Sequence, residues 1–204
     1  MMHPLRAVRK LVTVAALISV LASCGDVVRQ GQSPVFLTVD KLEAAPGNKP
    51  QTFAGSLSSD VAIISPAPCS SNSPCVFNDL GRVSLFLTPK DFTVAPTSNN
   101  QVTINRYQVT YRRTDGRSTP GVDVPYSFVG AVTGTVPPVG SLELPFELVR
   151  LTAKGTPPLL GLVRNSGAAI TTIADVTFFG TDQVGNEISV AGSILINFGD
   201  FADQ

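Results

Sequence analysis

The sequence predicts an all-β protein: a single antiparallel β-sandwich of about eight strands with loop insertions. Three observations carry this expectation. After Ser23 the apolar residues come in short runs rich in Val, Ile, Phe and Thr, each bounded by Gly, Pro, Asn or Asp. Within those runs the apolar positions repeat every second residue, and no run keeps helical spacing. Only 15% of the 204 residues are charged, against about 25% in an average globular protein, so the polar faces of the strands are made largely of Thr, Ser and Gly.

The N-terminus stands outside that pattern. Arg6, Arg9 and Lys10 precede Leu11 to Ser23, thirteen residues without a charge. That is shorter than the roughly 20 residues of a membrane-crossing helix and fits the core of a signal peptide. The core ends in Leu21-Ala22-Ser23-Cys24. These four residues resemble the lipobox of bacterial lipoprotein precursors. The resemblance implies that a signal helix over 1–23 is cleaved and that Cys24 is lipidated, which anchors the protein to a membrane without spanning it. With Gly25 rather than Asp after the cysteine, it also implies sorting to the outer membrane of a bacterial envelope. Residues 24–34 then read as lipidated cysteine and tether, and residues 35–204 as the β-sandwich domain.

Taken in order, Val35–Leu42 opens the body, and Leu57–Ile64 is a second apolar run. Val83, Leu85 and Leu87 alternate within Arg82–Thr88 until Pro89 ends the strand. In Val102–Arg113 the residues Val102 and Ile104 hold one phase, and Tyr107, Val109 and Tyr111 the other; the slip predicts a β-bulge near Asn105–Arg106. Asp115-Gly116 is a two-residue hairpin signal. Tyr126–Val136 follows, then Leu142–Val149, where Pro145, lacking an N–H, argues for an edge strand or for that position facing out. Thr172–Gly180, a turn over 181–186, and the phase Ile188, Val190, Ile194, Ile196, Phe198 make a long last hairpin. A division into two domains near Thr93–Gln101 would leave about three strands in the first, a weak core.

The stretch Ile104-x-x-Tyr107-x-Val109-x-Tyr111 with Thr114-Asp115-Gly116 resembles the third strand and following turn of fibronectin type III domains. Thr181-Asp182-x-x-Gly185-Asn186 resembles the last hairpin turn of bacterial immunoglobulin-like repeats. These resemblances imply an immunoglobulin-like sandwich and no particular activity, since such folds host many functions.

Loss of residues 1–23 takes Lys plus Arg from 15 to 12 while Asp plus Glu stays at 15, a net charge of −3. Such a body has no electrostatic reason to bind nucleic acid. The single histidine, His3, leaves with the signal, which excludes Ser-His-Asp and Cys-His catalysis and histidine-bound zinc. Cys69 and Cys75 remain, in a loop of Ser, Asn and Pro, and in an oxidising envelope they are expected to form a disulfide. No cofactor is expected. Glu143 and Glu147 lie four apart on one strand face, about 13 Å at strand rise, beyond the roughly 5–9.5 Å of glycosidase pairs. Asp182, Asn186 and Glu187 in the last turn, and Asp200 with Asp203 near the end, are weak calcium candidates. Arg106, Arg112, Arg113 and Arg117 are a candidate patch for an acidic polymer or an anionic envelope glycan, or else a solvated hairpin that discourages edge aggregation. The function expected is a lipid-anchored, non-enzymatic module that binds or scaffolds an envelope protein or glycan. The alternative is a carbohydrate-active hydrolase whose carboxylate pair comes from distant strands.

Overall fold

The computed structural model describes residues 32–165 and 167–201; the signal segment, Cys24, most of the tether and Asp203 lie outside them. Eight strands follow in order: β1 (Val35–Ala45), β2 (Ser56–Asp60), β3 (Asp79–Pro89), β4 (Val102–Arg113), β5 (Phe128–Val136), β6 (Ser141–Val149), β7 (Ala169–Asp182) and β8 (Glu187–Gly199). They form two sheets, β1-β3-β6 and β2-β8-β7-β4-β5. All pairings are antiparallel except one: β2 lies parallel to β8 along Ser56–Asp60, a departure from the purely antiparallel expectation. A parallel partner needs a long connection, and the chain from Val61 to Asn186, which holds the five strands in between, supplies it; β2 reaches this edge because the segment after β1 crosses from the smaller sheet to the larger.

Period two explains the layers. In β7 every even-numbered residue from Ile170 to Asp182 is buried. In β4 the inward phase passes from Val102 and Ile104 to Tyr107, Val109 and Tyr111 across a register shift between Ile104 and Arg106. The bulge therefore sits where the phase slip places it. Pro145 lies on β6, at the edge of the three-stranded sheet. The apolar run after Leu57 is strand only to Asp60; Val61, Ala62 and Ile63 are buried in irregular chain. One apolar cluster takes side chains from all eight strands.

Three missing Cβ atoms make room for core side chains, two within a sheet and one between the sheets. A methyl at Gly81 would overlap the Phe146 ring, one at Gly130 the Tyr107 ring, and one at Gly134 the side chains of Leu142 and Leu144. The Phe146 ring fills the space so made, with centroids 5.1 Å from Tyr107 and 5.2 Å from Phe178. Both β4 tyrosines then reach across to β6. The Tyr107 hydroxyl accepts the Glu147 N–H at 3.2 Å, and the Tyr111 hydroxyl donates to the Leu148 carbonyl at 2.6 Å. Leu148 is the residue skipped by the β3–β6 register, so Tyr111 satisfies a carbonyl that the ladder leaves over. Burial pushes the Tyr111 phenol far above its ordinary pKa.

The two ends of the sandwich differ. The chain enters β1 beside the β3–β4 connection 90–101, the β5–β6 turn 137–140 and the β7–β8 turn 183–186. The opposite, far end carries the segments 46–55, 61–78, 114–127 and 150–168, including a one-turn helix α1 (Leu151–Lys154).

Candidate functional site

The hairpin signal after β4 produces a turn and no hairpin. The Gly116 N–H donates to the Arg113 carbonyl at 3.0 Å and the Arg113 N–H to the Arg117 carbonyl at 2.9 Å. Gly116 has φ +88°, while Asp115 is not in the left-handed region. The chain then runs on to Phe128 before pairing again. Asp115 is held locally instead, its carboxylate accepting the Arg117 N–H and guanidinium. The guanidinium, then the N–H, hold the Asp115 carboxyl below the usual carboxylate range.

The four arginines do not form one patch. Arg112 pairs with Asp175 at 2.8 Å, Arg113 lies 3.2 Å from Asp115, and Arg117 pairs with Asp115 at 2.8 Å and Asp123 at 3.7 Å. Arg106 sits near the entry end of β4, six residues and roughly 20 Å from Arg112 at strand rise, with its guanidinium 4.2 Å over the Phe179 ring. One strand running the length of the sandwich separates residues that are close in sequence, and carboxylates neutralise the far-end group.

Among the described residues, two shallow pockets flank β4 and β5. The far-end pocket, 210 Å³, lies between the start of β5 and α1 and is lined by Tyr126, Phe128, Arg150, Thr152 and Thr156. Arg150 is fixed there in three ways. Its guanidinium lies 4.0 Å over the Phe128 ring, its Nε 3.3 Å from a Glu147 oxygen, and it donates to the Val129 carbonyl at 3.2 Å. Tyr126 is 63% exposed. The other pocket, 330 Å³, opens at the β4 bulge beside Arg106, Phe179, Thr181 and Glu187. The first pocket contains no carboxylate and the second only one. An aromatic ring with a fixed guanidinium suits recognition of a planar or anionic group; a lone carboxylate lacks the partner that glycoside hydrolysis needs.

The calcium candidates are engaged in their own turn. Asp182 accepts the Val184 N–H at 3.1 Å, the Asn186 N–H at 2.8 Å and the Asn186 side-chain amide at 2.8 Å. Burial opposes its ionisation, but those bonds and one from the Ser33 hydroxyl outweigh it and hold the carboxyl below its ordinary value. Glu187 lines the bulge pocket, and Asp200 accepts the Arg164 N–H. Among the described residues no group of three or more His, Cys, Asp or Glu is placed to hold a metal ion. Glu147 is taken by Asn78 at 2.8 Å and by Arg150, whereas Glu143 is exposed on the edge strand. Cys69 and Cys75 are joined in a disulfide, with Cα atoms 5.3 Å apart.

No protein-family profile matches the chain, and no curated protein matches it. One solved structure, described as the X-ray structure of Northeast Structural Genomics Consortium target SoR45, is similar at a TM-score of 0.35 and 12% identity. The match covers 80% of this chain and 86% of that one.

A buried polar cluster escaped sequence reasoning. Lys154 of α1 donates to Asp79 at 2.9 Å and to the Asp60 carbonyl at 2.9 Å, while Asp79 also accepts the Gly47 N–H and the Ser59 hydroxyl. Ser59, Asp79 and Lys154 come from three remote segments, so no motif announces them. The Asp79 and Lys154 side chains are each 1% exposed. Sealed from substrate, the cluster clamps β2, β3 and α1 together at the far end.

Proposed function

We propose that this chain is a lipid-anchored bacterial envelope protein whose immunoglobulin-like sandwich binds or scaffolds another envelope component without catalysis. The observation that carries the reading is Leu21-Ala22-Ser23-Cys24 at the end of thirteen uncharged residues. The strand order adds support for the fold assignment. The order β1-β3-β6 corresponds to strands A, B and E of immunoglobulin-type domains, and β8-β7-β4-β5 to G, F, C and C′. The absence of histidine after Cys24 and of a carboxylate pair in either pocket favour a binding module over the hydrolase alternative. The far-end pocket around Tyr126, Phe128 and Arg150 is the surface we assign to the partner, an envelope protein or glycan.

Two measurements test this. Mass spectrometry of the N-terminal peptide from envelope-grown protein should find Cys24 carrying acyl chains, and Cys24→Ala should release the protein from the membrane fraction. Co-purification of the lipidated protein from detergent-solubilised envelope should recover a partner that Tyr126→Ala with Arg150→Ala loses. An unacylated Cys24, or a protein recovered alone, would overturn the corresponding half of the proposal.

A further inference from the structure

We infer that the entry end of the sandwich is a membrane-contacting surface, and that its turn tips insert into the bilayer that holds the acylated Cys24. This inference rests on the anchoring reading above and extends it to the folded body. Three of the four connections at that end present an apolar residue at an exposed tip: Phe92 (92% exposed) with Val94 in 90–101, Val139 (77%) in the β5–β6 turn, and Val184 (81%) in the β7–β8 turn. The fourth is the entering chain, which brings exposed Phe36 with it. Phe92, Val184 and Val139 are the three most exposed large apolar residues among those described.

Folding has no use for these side chains. Residues 91–99 are exposed without a break, and the connections carry few charges. Residues 137–140 and 183–186 have none, and 90–101 has only Lys90 and Asp91. Asp91 is turned back onto its own loop by the Thr93 N–H and hydroxyl, and the Lys90 ammonium lies 5.1 Å over the Phe36 ring. Clustered exposed apolar residues on a water-soluble surface mark a contact site. The far end also exposes apolar side chains, among them Val122, Tyr126, Leu151 and Leu160, but there they stand among the charged Arg113, Asp115, Arg117, Asp123 and Arg150.

The chain outside the described residues names the occupant. Ser33 is buried and its hydroxyl bears on the carboxyl of Asp182, the last residue of β7, and the Lys90 N–H donates to the Pro34 carbonyl at 2.9 Å. The tether therefore leaves the body among the apolar tips. Nine residue steps separate Cys24 from Ser33, a reach of at most about 32 Å. An acyl group on Cys24 thus keeps this end within one tether length of the bilayer, and the tips face it. The far-end pocket is held outward, toward a partner.

The chain has no tryptophan, so single replacements report one site each. Phe92→Trp, Val139→Trp and Val184→Trp, with Val122→Trp at the far end as control, would be made in the lipidated full chain. Each would be reconstituted into vesicles of phosphatidylethanolamine and phosphatidylglycerol containing brominated acyl chains. The tip positions should shift to the blue and be quenched several-fold more strongly than position 122. Adding Phe92→Asp with Val184→Asp, both fully outside the core, should abolish quenching at position 139. Equal quenching at both ends, or none, overturns the inference. A blue shift without bromolipid quenching, with dimers in sedimentation, assigns the tips to a second copy and also overturns it. Mass spectrometry of Cys24 separates the two readings. If Cys24 is unmodified the anchoring reading fails, and the same variants with vesicles added to the unlipidated chain must still show tip quenching for the surface to stand.

Discussion

At the scale of single residues, the most consequential contacts are polar and buried. Removing one partner of the Lys154–Asp79 pair leaves a charge without compensation, so Lys154→Ala is expected to lower stability by about 3–5 kcal/mol. Urea denaturation of that variant, of Asp79→Asn and of the double variant checks this. The double variant should lose less than the two single losses together, because the partners share one interaction. Tyr111→Phe should cost about 1–3 kcal/mol by stranding the Leu148 carbonyl. Asp182 gives the pH dependence its sign. Its folded carboxyl is held low by the Asn186 and Val184 bonds, despite burial, so it contributes stability above the unfolded carboxylate pKa, about 3.9. That contribution is lost as pH falls through the folded value. Thermal denaturation between neutral and acid pH should therefore show a flatter acid limb in Asp182→Asn than in the parent.

At the scale of elements, close approach decides the architecture. Gly81→Ala and Gly130→Ala each place a methyl inside an aromatic ring on the neighbouring strand of the same sheet, Phe146 on β6 and Tyr107 on β4, and overpacking of this kind costs about 1–3 kcal/mol. Gly116→Ala, with open space around its Cβ position but φ +88°, should be destabilised by backbone strain alone. Guanidinium denaturation of the three variants separates the two causes, because Gly81→Ala paired with Phe146→Leu should recover stability and Gly116→Ala should not. The Cys69–Cys75 staple closes a short loop, so its reduction should cost roughly 2 kcal/mol at most. Calorimetry with and without reductant reads that difference.

At the scale of the whole molecule, one apolar cluster joins all eight strands. The described body should therefore unfold in one cooperative transition, with calorimetric and van't Hoff enthalpies equal; two transitions would divide it. The long axis also separates two surfaces. Apolar connection tips stand at the end where the chain enters, and the charged loops, the disulfide and the aromatic pocket stand at the other.

Local chemistry was legible without tertiary structure. Strand positions, the bulge in β4, the edge placement of Pro145 and the disulfide follow from period two, a phase slip, a missing N–H and two isolated cysteines. Each is a property of a few consecutive residues or of a compartment. The Ser59-Asp79-Lys154 cluster, the parallel β2–β8 edge, the scattering of Arg106 from Arg112, Arg113 and Arg117, and the gathering of Phe92, Val139 and Val184 at one end were not legible. They depend on which strands become neighbours, and in a sandwich that is settled by long-range packing across two sheets. Spacing along the chain therefore determined what each strand is, and only the tertiary structure decided what each strand meets.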